Sequence, residues 1–378
     1  LTRTRDRRIG VHGLNLIVNG VDVRRWEVFG LLGQVSFFHI EDLRITGFRC
    51  LDLGCAQFAL HICAFEDILV DDVIVKGRKD GVNLGRGKRF CIRNGVFDTV
   101  DDAIALNGHD YDVGNPELGW IEDGVVENCH DLSEITPSCH FCRILAGAWI
   151  DWRPGMEVQK SDTVVSGGKL YRVKADADGR TFISKTRPEH PQGEAVLDGD
   201  IHWAKVQDEA VYTAGVRNVT FRDIFLHKPR IGFLIVFDND RYSRSYYPGA
   251  PIPLQEKLFF DGIRTLHDSD QPLIAVSTPV DLLQISRSTF RRNRIVFYGN
   301  EAMPDYGRTR VAMNACVFEA DGPQELLTNS VAGKEIDLRT IGSVAMDPRF
   351  EAQVAPGRGT VRIESDLPGL CSPRPGTP

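Results

Sequence analysis

The sequence predicts an all-β chain: a right-handed parallel β-helix, that is a solenoid, carrying a small inserted antiparallel β unit. Three observations predict it. A short apolar-and-turn pattern returns along most of the 378 residues, helical periodicity is nearly absent, and the one long gap in the pattern holds a segment of different character. The length allows one large or two ordinary domains. With 42% hydrophobic and 26% charged residues, a disordered or collagenous chain is excluded. No window approaches about 18 consecutive apolar residues, and Leu1 opens into the arginine-rich stretch Thr2 to Arg8, so neither a membrane span nor a signal peptide is expected in this chain. A net charge of −7 argues against binding through phosphate attraction, so neither nucleic acid nor membrane is an expected partner.

The repeat reads apolar, polar, turn-tolerant, apolar or small, any, apolar. Its copies begin at Ile40, Val70, Ile92, Phe221, Ile285 and Met313, with imperfect copies at Val126 and Phe260. Each looks like two short strands joined by a bend, at Asp42, Asp72, Asn94, Asp223, Arg287 and Ala315 in the clear copies. Strands this short cannot bury a face alone, and stacking them coil on coil closes a continuous core. The competing architecture is a large β-sandwich or barrel, whose strands also recur at short spacing.

All but one interval between copies lie between 22 and 39 residues, and the exception, Val126 to Phe221, is 95. From Trp152 to Gln207 the chain shows alternating strands around a Gly167-Gly168 turn, the mark of a small antiparallel unit. The expected organisation is a β-helix over 1–151 and 209–345, an insert over 152–208, and a C-terminal cap with a Pro-rich tail over 346–378.

Nine cysteines form no disulfide framework. Cys139 and Cys142, with His130 and His140 nearby, lack the second ligand pair that a structural zinc site needs. No metal and no cofactor is expected.

The chemistry concentrates between Arg78 and Leu106. Asp80 and Asp101 are 21 residues apart, close to the 22-residue step from Val70 to Ile92. Residues one coil apart stack at about 4.8 Å, so Asp80 and Asp101 are expected to be neighbours with Asp102 beside them. Crowded carboxylates repel, and one of them then holds a proton near neutrality. Glycoside hydrolysis uses such a pair of protonated and ionised acids. Asp is also an ordinary turn residue, and Asp71-Asp72 is a pair of the same appearance with no obvious partner one coil away.

The stretch Phe58 to Leu106, through Val70-Asp-Asp-Val-Ile-Val, Lys79-Asp80-Gly-Val-Asn and Val100-Asp101-Asp102-Ala-Ile-Ala-Leu, resembles the central coils of the polygalacturonases, glycoside hydrolase family 28. The family order is Asn-Thr-Asp-Gly, Gly-Asp-Asp, Gly-His-Gly, Arg-Ile-Lys. The resemblance implies a pectin-degrading hydrolase, secreted or periplasmic, that inverts the anomeric centre of a polysaccharide or oligosaccharide substrate. It makes Asp101 the general acid and Asp80 with Asp102 the holders of the attacking water. His140 matches the signature histidine without its glycines, and Arg230-Ile231-Gly232 falls where Arg-Ile-Lys would be, with His130 and Arg143 as competitors. Arg78-Lys79 replaces Asn-Thr, and both residues, with Arg86, Lys88 and Arg89, are candidate cations for the substrate. Val100 replaces the glycine before the pair, where a β-branched residue resists positive φ.

The insert, with Tyr171 and the late Trp203, resembles the small chitinase-type carbohydrate-binding modules, which implies aromatic rings stacked on sugars. Two other functions stay open. One is a non-catalytic polysaccharide-binding or tailspike-like β-helix, favoured by Val100, the altered histidine context and Gly232; the other is a polysaccharide lyase.

Overall fold

A computed structural model describes residues 4–18, 32–55, 57–110, 115–134, 139–174, 180–239, 244–266, 268–299 and 307–370; Cys371 and the Pro-rich tail lie outside them. The chain is a parallel β-helix. One hydrogen-bonded column runs through ten coils by way of Val35, Leu60, Val82, Ile104, Cys142, Phe233, Ile274, Ile295, Leu327 and Val354. A second column holds the starts of the repeat: Val70, Ile92, Val126, Phe221, Phe260, Ile285 and Met313 are successive register partners.

Each repeat works because its third residue bends the strand. Asp72, Asn94, Asn128, Asp223, Arg287 and Ala315 all have φ between 49° and 55°, and Gly262 has φ 70°. Asn and Asp tolerate this left-handed geometry through local hydrogen bonds. The bend turns the next apolar residues inward, so Val75, Phe97, Leu226 and Phe290 share one interior with Ile45. Aromatic stacking fills it, with Phe221 and Phe260 at 5.4 Å and Phe290 and Phe318 at 5.2 Å between ring centroids.

The copy beginning at Ile40 is displaced by five residues from the expected alignment, because Ile45, not Ile40, pairs with Val70. Asp42 belongs to a second line of bends, which runs through Arg8, Asp67, Arg89, Asp123, Asn218 and Lys257. Two bends per coil with the same local signature produce this ambiguity. Asp71 is likewise part of a surface ladder of alternating charge, Asp71, Arg93, Glu127, Arg222 and Asp261. Exposed pairs of this kind contribute little stability each, but they oppose slippage of register.

Residues 150–207 supply a five-stranded sheet and a two-stranded one, each separate from the coils. Their apolar cluster is built on Trp203, Tyr171, Val164 and Leu170, and it borrows Leu118, Trp149, Ala214 and Tyr247 from flanking segments. Tyr171 and Trp203 are fully buried, so in this arrangement neither ring offers a face to a sugar. A unit of this size needs its aromatics for its own core. Past residue 345, where a cap is expected from the sequence, the coil continues: Glu351–Ala355 and Thr360–Ser365 pair in parallel with the coil before them.

Candidate active site

The step between the Asp80 and Asp102 coils is 22 residues, since Val82 pairs with Ile104 and Gly81 N–H donates to Asp102 O at 3.0 Å. Asp102 therefore stacks on Asp80, and Asp101 stacks on Lys79; the 21-residue reading is one residue short. The next coil continues the column, because Ala103 N–H donates to His140 O at 3.1 Å. Gly81 makes the turn possible by its size. A Cβ there would lie 2.5 Å from the Ala103 carbonyl oxygen and 2.8 Å from the Phe97 ring.

Asp80, Asp101 and Asp102 each offer an oxygen, all within 4.8 Å of one another. Asp80 and Asp102 are buried, whereas the Asp101 side chain keeps 25% of its surface exposed and is the carboxylate that an incoming group meets. Each acid has its own anchor. Lys79 Nζ lies 2.8 Å from Asp101 Oδ2, Asn83 Nδ2 donates to Asp80 Oδ2 at 3.0 Å, and Asp102 Oδ1 takes the His140 backbone N–H at 3.1 Å and its ring Nδ1 at 2.8 Å. A metal bound by the three carboxylates would have to compete with these donors. Among the described residues this is the group close enough together to share a cation.

Burial pushes the Asp80 carboxyl well above the ordinary carboxylate range, and the charges of Asp101 and Asp102 add to the push against Asn83 and Lys79. For Lys79, burial works to lower the ammonium's pKa, but Asp101, Asp80 and Asp102 outweigh it and the net direction is up. The site thus favours the protonated form of Asp80 beside the charged form of Lys79.

The other expected residues divide. His140 is buried in the site, and Arg78 is exposed at its edge. Arg230 lies beside the site but does not open onto it. Its guanidinium is fully buried, 3.1 Å from Asp131 and 3.4 Å from the Asp101 carbonyl oxygen, a structural pairing rather than a surface that can receive substrate. Burial keeps Asp131 raised even against that arginine. Gly232 excludes a lysine, because a Cβ there would sit 2.7 Å from the Leu273 carbonyl oxygen. His130 stacks on Phe225 and bonds His227 instead. Arg86, Lys88 and Arg89 pair with Glu117 and Glu209, with Glu66, and with Glu66 and Asp67, respectively. Val100 is not among the positive-φ positions, so its side chain requires no backbone strain.

Asn83 and Arg143 are the residues that sequence reasoning undervalued. Both point away from the apolar core in one register column, Asn83 on Ala105 on Arg143, where Asn83 is buried. Arg143 is tied to Asp238, and burial, which pulls its pKa down, is outweighed by Asp238, Asp110, Asp102 and Asp80. The alternation of Val82, Asn83 and Leu84 was the available signal.

No protein-family model and no curated protein matches this chain. Among solved structures, it is similar to a family 28 exopolygalacturonase of Yersinia enterocolitica, at 11% identity over 87% of this chain and 45% of that one, with a TM-score of 0.29. It is also similar to a hyperthermoactive exopolygalacturonase from Thermotoga maritima, at 9% identity over 80% of this chain and 54% of that one, with a TM-score of 0.28. The chain spans about half the length of these structures.

Proposed function

We propose that the chain is a glycoside hydrolase acting on an acidic, pectin-like polysaccharide. The observation that carries this reading is the clustering of Asp80, Asp101 and Asp102 within 4.8 Å, with Lys79 and His140 bound to two of them. Asp101, the exposed member, passes to the leaving oxygen the proton that buried Asp80 favours, and Asp80, then ionised, takes a proton from the attacking water that it holds with Asp102. Lys79 and Arg143 supply the positive field that an acidic sugar requires. His140 positions Asp102 and so acts through it.

The resemblance to the polygalacturonases supports inversion. Polygalacturonate, neutral plant polysaccharides and microbial polysaccharides should be digested in parallel, with products separated by size and the first anomer read by NMR. Release of acidic oligosaccharides lost in Asp101→Asn supports hydrolysis, and the anomer decides between inversion and retention. Unsaturated products identify a lyase. Binding without any product leaves a carbohydrate-binding β-helix as the function.

A further inference from the structure

Where the inserted unit meets the solenoid there is a cavity of about 390 Å³. One wall comes from the insert, with Arg153, Gln159 and Thr181; the other comes from Arg244 and Tyr247, on the segment that follows the strand Ile231–Val236. The walls are held by specific bonds. Gln159 Nε2 donates to Thr181 Oγ1 at 2.8 Å, and the Tyr247 hydroxyl donates across the seam to the Glu157 carbonyl oxygen at 2.8 Å.

The charge balance of the lining is positive. Arg244 reaches buried Asp162 at 3.3 Å, and burial pushes that carboxyl up to about 7 against the pull of Arg244, so near neutrality it only partly cancels the arginine. The Arg153 guanidinium is exposed and makes no hydrogen bond or ion pair with a described residue. Glu157 is the one carboxylate among the lining residues. The volume falls in the range of small-molecule sites, about 300–1,000 Å³, and is larger than a bare inorganic anion needs. Gln159 and Thr181 suit hydroxyls, and exposed Pro154 and Pro248 offer apolar edges to a sugar ring.

We propose that this seam cavity is a subsite for a uronic-acid residue of an anionic polysaccharide, its carboxylate meeting Arg153 and Arg244. The choice of polysaccharide rests on the hydrolase reading above. The segment that carries Arg244 follows Asp238, whose carboxylate holds Arg143 in the column beside the Asp cluster, so one segment connects the two sites. The cavity anchors the chain of the substrate away from the bond that breaks.

The test is titration calorimetry of trigalacturonate, a neutral xylotriose control and inorganic sulfate against the full chain, with Asp101→Asn as background so that nothing is consumed. Arg153→Gln is expected to weaken trigalacturonate by about tenfold or more, and Arg153→Glu to weaken it further. In chains that keep Asp101, Arg153→Gln should raise KM on polygalacturonate and leave kcat unchanged. Unchanged binding and KM in Arg153→Gln, equal binding of xylotriose, competition by sulfate at matching affinity, or no trigalacturonate binding at all would each overturn the subsite. Binding that depends on Arg153 in a chain with no hydrolytic activity would keep the subsite and overturn the hydrolase reading instead.

Discussion

Lys79 stands one coil from Asp101, with its Nζ 2.8 Å from Asp101 Oδ2. This contact places a fixed positive charge inside a cluster of three acids, and it is among the influences that hold the Asp80 pKa down.

Removing that charge should move the pH profile. In Lys79→Met, Asp80 loses an opposing cation, so its proton is held to higher pH. The alkaline limb of the rate profile should shift upward, with a lower maximal rate because Asp101 loses its anchor. Initial rates on polygalacturonate across the pH range check this. An unmoved alkaline limb would show that Lys79 does not act on the group that titrates.

Asp80 should also show its environment in stability. Its folded pKa is raised above the unfolded value of about 3.9, so between the two the folded chain binds more protons than the unfolded one. Its contribution is fully present below the unfolded pKa and is lost as pH rises through the folded pKa. Asp80→Asn removes that penalty, so its Tm should exceed that of the parent chain at neutral pH, and the gap should close towards pH 4. Calorimetric melts at several pH values test the sign directly. Activity should fall in the same variant, the usual conflict between a working site and stability.

Asp101→Asn keeps size and anchor geometry but removes the proton donor. Turnover should fall by about 10²–10⁴-fold, with the melting temperature little changed because this side chain is partly exposed. Asp71→Asn is the control: Asp71 bonds Arg93 and Asn94 on the surface ladder, and its loss should leave turnover unaltered. Comparable losses in both variants would remove Asp101 from the chemistry.

The sequence made the coils legible because the bend is a local event. Asp72, Asn94 and Asp223 announce a left-handed residue wherever they stand between apolar neighbours, and their strands stack as the intervals require. Asp42 carries the same signal on the other line of bends, so its alignment could not be read locally. The acid cluster was legible as a group, but its register was not, since Asp101 and Asp102 are adjacent and a one-residue slip exchanges their partners. The burial of Arg230 was illegible for a related reason. Position in the chain places it beside the site, but only the buried Asp131 on the neighbouring coil explains why its guanidinium turns inward.

The insert offers the last prediction. Among the described residues, the apolar core of the solenoid takes none between Ile144 and Val216, so we expect the coils to pack without the inserted sheet. The flanks do depend on it: Leu118 N–H donates to Gln207 Oε1 at 2.9 Å, and Leu118, Trp149 and Tyr247 complete the insert's cluster. We therefore expect that replacing Arg153 to Gln207 by a short Gly-Ser linker leaves a β-rich chain that unfolds cooperatively, but one that exposes those three side chains and aggregates. Adding Leu118→Gln and Trp149→Gln should restore solubility without raising the melting temperature. Circular dichroism melts, with light scattering on both forms, check the two steps. A solubilised variant that melts without cooperativity would show that the insert belongs to the solenoid's folding unit.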